Sequence, residues 1–220
     1  MNMNKKAFIF DLDGVIVDTA KYHFLAWQKI ASELGIEFTP EHNEELKGVS
    51  RVRSLDLILE LGKMSASQAD KDRWLLQKNE DYLSYLVHMD QSEILPGVLH
   101  ILQFLKEHQQ PIALGSASKN ARPILEKTGI IHYFDVIVDG NDVTNAKPDP
   151  EVFVQAARQL GIGNEDAIVF EDSVAGIQAA NIAGMTSIGI GEASILKQAQ
   201  YNFPDFVHID TSFIEHIIKK

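Results

Sequence analysis

The sequence predicts a doubly wound α/β fold, a parallel sheet covered by helices on both faces, interrupted once by an all-helical insertion. Three observations predict it. Short apolar runs rich in β-branched and aromatic residues recur along the 220 residues, with helix-like patterns between them. The runs are nearly continuous in hydrophobicity rather than alternating, as strands buried on both faces are. Residues 18–92 break the rhythm with helical periodicity alone, over a stretch much longer than an ordinary crossover.

Strands are expected at 7–10, 112–114, 136–138, 167–170, 187–190 and 206–209. Within the insertion, Ala26, Trp27, Ile30, Ala31 and Leu34 share one helical face before Gly35 stops it, and Leu55, Ile58, Leu59 and Leu61 do so before Gly62. A third helix is expected over 67–87, with Trp74, Leu75, Tyr82, Leu83 and Leu86 inward. The chain rejoins the sheet near Leu95-Pro96-Gly97, which divides it into a core of 1–17 and 93–220 and a helical cap of 18–92. Asp149 is expected to cap a helix whose first position is Pro150, and 214–220 to form a last helix.

The hydrophobic fraction of 45% supports a real interior. A net charge of −11 and a pI near 5.1 argue against nucleic acid or an anionic membrane surface as partner. The absence of cysteine removes disulfides, thiolate nucleophiles and cysteine zinc sites. No apolar stretch approaches the roughly 18 residues that span a bilayer, and the first residues lack a signal-peptide pattern. A cytoplasmic monomer is the expectation.

In an open α/β sheet, ligands bind beyond the carboxyl ends of the strands. Asp11 and Asp13, then Gly14, follow the first apolar run; Ser116, Ala117, Ser118, Lys119 and Asn120 follow the second; Glu171 and Asp172 follow the fourth. Lys147 precedes a later helix. Taken singly, these residues read as an Asx turn, a helix cap, acids at a helix N-terminus and a solvated lysine. Together they place several carboxylates on one edge, where mutual repulsion calls for a cation. Hard oxygen donors favour Mg²⁺, with Asp11, Asp172 and Glu171 as ligands. The Ser116-Ala117-Ser118 turn, read as opening a helix, and Lys147 would hold the oxygens of a phosphoryl group.

These motifs, in this order, resemble those of the haloacid dehalogenase superfamily: Asp11-Leu12-Asp13-Gly14, Ser116, Lys147-Pro148 and Glu171-Asp172. The insertion resembles the cap domain of one branch. Further segments resemble the sugar-phosphate mutases of that branch: Asp18-Thr19-Ala20-Lys21-Tyr22-His23 with Trp27, Leu46-Lys47-Gly48-Val49-Ser50-Arg51 with Ser54, Lys78-Asn79, and Ser116 to Asn120. Val52-Arg53 stands where acidic residues are usual in that group.

The resemblance implies a HAD-like core in which Asp11 is the nucleophile, forming an aspartyl phosphate, and Asp13 the general acid and base, its main-chain carbonyl also a metal ligand. It makes Ser116, Ala117, Asn120 and Lys147 phosphate-binding, and Arg51 the grip on a second phosphate. Ser54, Lys78, Trp27 and the Gly48 loop would contact the sugar, and His23 would support Asp13 or a hinge near Thr19. Without the resemblance, Arg51, Ser54 and Lys78 read as exposed helix residues and His23 as a packing residue. The implied reaction interconverts β-glucose 1-phosphate and glucose 6-phosphate through β-glucose 1,6-bisphosphate, with Mg²⁺. A phosphatase on the same scaffold and a non-catalytic phosphometabolite sensor are the alternatives.

Overall fold

The computed structural model describes residues 5–220; residues 1–4, the start of the expected first core segment, lie outside it. Six parallel strands form one sheet, β1 (Ala7–Phe10), β2 (Ile112–Gly115), β3 (Val136–Val138), β4 (Ala167–Glu171), β5 (Thr186–Ile190) and β6 (Tyr201–Phe203), in the order β3-β2-β1-β4-β5-β6. The progression reverses at β1, so its carboxyl end opens between β2 and β4, the position where such sheets leave a crevice.

Alternate residues of β1 supply both cores. Phe8 and Phe10 pack with α5 (Val98–Glu107), α6 (Ala121–Lys127) and α9 (Thr211–Lys219), whereas Ala7 and Ile9 meet α7 (Glu151–Leu160) and α8 (Val174–Ile182). Phe10 stacks on Phe170 at 4.6 Å between centroids, and Phe206 lies 5.4 Å beyond Phe170. Such aromatic contacts add about 1 kcal/mol each to their burial.

The helical insertion comprises α1 (Ala20–Glu33), α2 (Pro40–Glu44), α3 (Arg51–Leu61) and α4 (Gln68–Tyr85). Ser50 and Ser67 cap the last two by accepting from the N–H groups of Arg53 and Asp70. Trp27, Ile30, Ala31, Leu55, Ile58, Leu59 and Trp74 form a core of their own.

The structure corrects several expectations. Residues 206–209 are not a strand: Pro204 ends β6, Asp205 accepts from the N–H groups of Val207 and His208, and the resulting 3₁₀ turn buries Phe206 while exposing Val207. The edge strand is Tyr201–Phe203, whose aromatic rings pack edge-on against Phe213. Leu61 and Leu83 are exposed, because their positions fall off the buried stripes. The inward face of α4 instead carries Trp74, Lys78 and Tyr82. The short α2, nucleated by Thr39 and Pro40, lacks the length to announce itself by periodicity. Pro150 occupies the cap of α7 rather than its first turn, with Asp149 accepting from Glu151 N–H.

Candidate active site

β1 delivers Asp11 into the central crevice, where its N–H is held by the Phe170 carbonyl at 3.0 Å. The chain then coils tightly, with the N–H groups of Ile16 and Val17 returning to the Leu12 carbonyl. Gly14 takes φ +80°, and a Cβ there would sit 2.1 Å from Asp172 Oδ2, so the turn passes over that carboxylate only as glycine.

Lys147 Nζ joins the strand ends: it donates to Asp11 Oδ1 at 2.5 Å and to Glu171 Oε1 at 2.6 Å, all three side chains being buried. The other oxygen of Glu171 accepts from Ser173 N–H at 2.6 Å and Ser173 Oγ at 2.9 Å. Asp172 faces Lys47 of the insertion at 3.7 Å. Burial, helped by Glu171 and Asp13 and opposed by Lys147, pushes Asp11 up to about 7. Burial with Glu171 and Asp11 nearby raises Asp172 well above the carboxylate range. Lys147, although burial works against its charge, is held above an ordinary lysine by its two carboxylates.

This cluster tests the expected metal set. Among the described residues no group of three His, Asp or Glu side chains is gathered around one ion position. The expected quartet Asp11, Asp13, Glu171 and Asp172 is therefore not preassembled as side chains: Lys147 lies between Asp11 and Glu171, and Asp13 turns its carboxylate toward the insertion. The donor chemistry nevertheless suits a hard divalent cation. Asp11 and Asp172 are oxygen donors without competing sulfur, and both carboxyls are raised first by burial and further by the carboxylates beside them.

Asp13 belongs to a second cluster. Thr19 Oγ1 donates to its carboxylate, and His23 Nε2 stands 3.8 Å from it. Lys78, only 2% exposed, approaches His23 Nδ1 at 2.9 Å, so its ammonium donates to that nitrogen and the imidazole proton lies on the nitrogen facing Asp13. Burial would raise the Asp13 carboxyl, but His23, Thr19 and Lys78 outweigh it and hold it low. Burial and then the Lys78 charge lower His23, keeping its ring neutral. Burial, with Arg51 nearby, lowers Lys78 to about 7.

A cavity of about 620 Å³ lies between the sheet edge and the insertion. Asp11, Asp13, Ser116, Ala117, Asn120 and Lys147 line it from one side. His23, Trp27, Gly48, Arg51, Ser54 and Lys78 line it from the other, so every residue predicted to meet substrate is brought to one space. Arg51 is enclosed enough for burial to lower its pKa, and forms no ion pair with any carboxylate among the described residues. The exposed-helix reading of Ser54 and Lys78 fails, since both are buried.

The Ser116 turn departs from expectation. α6 begins only at Ala121, and the Ser116 and Ser118 hydroxyls accept from the N–H groups of Ser118 and Asn120. Asn120 donates to Asn79 of α4 at 3.0 Å, linking the two sides of the cavity. Sequence reasoning missed Ser173 and Lys47 as neighbours of the acidic pair. Ser173 carries a readable signal, because a serine three residues before Gly176 caps α8; the Lys47–Asp172 approach spans the chain and carries none.

The haloacid dehalogenase-like hydrolase profile matches residues 8–190. The β-phosphoglucomutase of Bacillus subtilis is 43% identical over 189 residues, covering 85% of this chain and 84% of that protein. A phosphorylated carbohydrates phosphatase of Thermotoga maritima is 31% identical, covering 83% of each. The crystal structure of β-phosphoglucomutase from Clostridium difficile superposes with a TM-score of 0.93 at 41% identity, covering 97% of both chains. The chain belongs to the haloacid dehalogenase-like hydrolase family.

Proposed function

We infer that this chain is a β-phosphoglucomutase, an isomerase that interconverts β-glucose 1-phosphate and glucose 6-phosphate. The observation that carries this reading is the pairing of Asp11 and Asp13 on one side of the cavity with Arg51, enclosed and without a carboxylate partner among the described residues, on the other. One phosphoryl group can meet the Asp11 side while the guanidinium holds a second. Residues 18–92 serve as the cap over a core of 1–17 and 93–220.

Asp11, Asp172, Glu171 and the main-chain carbonyl of Asp13 would hold Mg²⁺, with Glu171 also kept in place by the Ser173 N–H and hydroxyl. When bound, the ion neutralises charge on the transferring phosphoryl group. Asp11, phosphorylated, gives its phosphoryl group to the sugar hydroxyl while Asp13 takes the hydroxyl proton. The resulting β-glucose 1,6-bisphosphate turns round, Asp11 attacks the other phosphorus in line, and Asp13 returns the proton to the departing sugar oxygen. Ser116 and Lys147 position the transferring group, with Ala117 and Asn120 completing the core wall. His23, kept neutral, and Thr19 orient Asp13. Arg51, Ser54, Lys78, Trp27 and the Gly48 loop receive the rest of the substrate. Closure of this wall excludes water, which would otherwise hydrolyse the aspartyl phosphate.

The test supplies pure β-glucose 1-phosphate, Mg²⁺ and a trace of the bisphosphate, and follows glucose 6-phosphate and inorganic phosphate together. Glucose 6-phosphate with little free phosphate is expected. Phosphate without isomer would make the chain a sugar-phosphate phosphatase, the reading favoured by the 31% identical relative. An Asp11→Asn variant that retained turnover, with deamidation excluded, would overturn both.

A further inference from the structure

Tyr82 is 1% exposed, and its hydroxyl meets no hydrogen-bond partner among the described residues. An unpaired buried hydroxyl is costly and rare, so this one calls for a cause. Its ring is fixed on two sides: the His23 ring packs against it at 4.3 Å between centroids, and Lys78 Nζ stands 4.6 Å from its centroid. Both neighbours belong to the cluster around Asp13.

Thr19, 0% exposed, lies within reach of this phenol. Its Oγ1 donates its single proton to Asp13, leaving lone pairs that receive no donor among the described residues. Burial followed by the Asp13 charge keeps the phenol protonated, and so a donor. A donor without an acceptor thus adjoins an acceptor without a donor, at the point where the insertion leaves the core.

We propose that Tyr82 is a positioning residue for Asp13: its hydroxyl donates to Thr19 Oγ1 when substrate occupies the cavity, and so fixes the Thr19 proton on the Asp13 carboxylate. The unmet hydroxyl disfavours the empty site, and the bond gained with substrate aligns the acid/base for transfer. This inference rests on the reading of Asp13 as acid and base.

The test is Tyr82→Phe, which removes one oxygen and keeps the ring. It should lower kcat roughly five- to tenfold, the worth of about one hydrogen bond, with KM for β-glucose 1-phosphate within about twofold. It should also leave Tm equal to or above that of the unaltered protein, because an unsatisfied buried hydroxyl is gone. In a Thr19→Val background the same substitution should lower kcat no further. Unchanged kcat with raised Tm would mean an inert buried hydroxyl, and lowered Tm with unchanged kcat a merely structural one; either overturns the proposal. Asp13→Asn separates the two readings: retained turnover there refutes Asp13 as acid and base, whereas lost turnover together with a Tyr82→Phe enzyme of normal kcat refutes only the role of Tyr82.

Discussion

Lys147 Nζ stands 2.5 Å from Asp11 Oδ1, making a buried lysine the immediate neighbour of the proposed nucleophile. A second buried carboxylate, Glu171, shares the same ammonium. Lys147→Met should therefore leave two enclosed carboxylates without their cation. Breaking such a set costs about 3–5 kcal/mol, and the loss should appear as a lowered urea midpoint in metal-free protein. Phosphoryl transfer should fall by roughly a hundredfold or more, since a charge aimed at the transferring group is removed. An unchanged midpoint would refute the energetic account of this cluster.

Lys78 gives a pH signature. Its folded pKa of about 7 lies below the ordinary lysine value of 10.5, so between those values the unfolded chain binds the extra proton. Its cost to folding is thus fully present below about pH 7 and is relieved as pH rises toward 10.5. Lys78→Met should raise Tm at pH 6.5, by an amount on the order of a few kcal/mol in stability, and the gain should shrink by pH 9.5. A gain independent of pH would show that Lys78 is not held against its charge.

Arg51→Ala should weaken the handling of the second phosphate. A charge-assisted contact contributes about 1.5–3 kcal/mol, so kcat/KM with β-glucose 1,6-bisphosphate should drop roughly ten- to a hundredfold. Stability should change little, because the guanidinium has no carboxylate partner to lose among the described residues. Kinetics equal to the unaltered enzyme would remove Arg51 from the substrate site.

Gly48 takes φ +73°, and a Cβ there would lie 2.2 Å from Ser173 Oγ. Gly48→Ala should strain the loop by about 1–2 kcal/mol and push the cap off the core at that contact. Circular dichroism should remain unaltered while mutase turnover falls and inorganic phosphate rises as a share of product, because water enters an incompletely closed site. An unchanged product ratio would show that this contact does not govern closure.

The sheet was legible because parallel strands such as Ala167–Glu171 are buried on both faces and write themselves as unbroken apolar runs. The carboxylates were legible because polar residues following such runs have a fixed address at the strand ends. The edge was less so: in 201–209 the buried Phe206 resembles a strand, although Pro204 and the Asp205 cap turn it into a 3₁₀ element. Periodicity also mistook Lys78, a cation inside the apolar stripe of α4, for a surface residue.

By itself, then, the sequence determined the α/β class, the helical insertion and the residue types at each strand end, since these follow from local patterning and order along the chain. Only the tertiary structure decided that Lys147 bridges Asp11 and Glu171, that Asp13 turns to Thr19 and His23, and that Tyr82 lies with an unmet hydroxyl behind them. These relationships join residues distant in sequence, and their energies depend on burial and mutual distance, which no local pattern records.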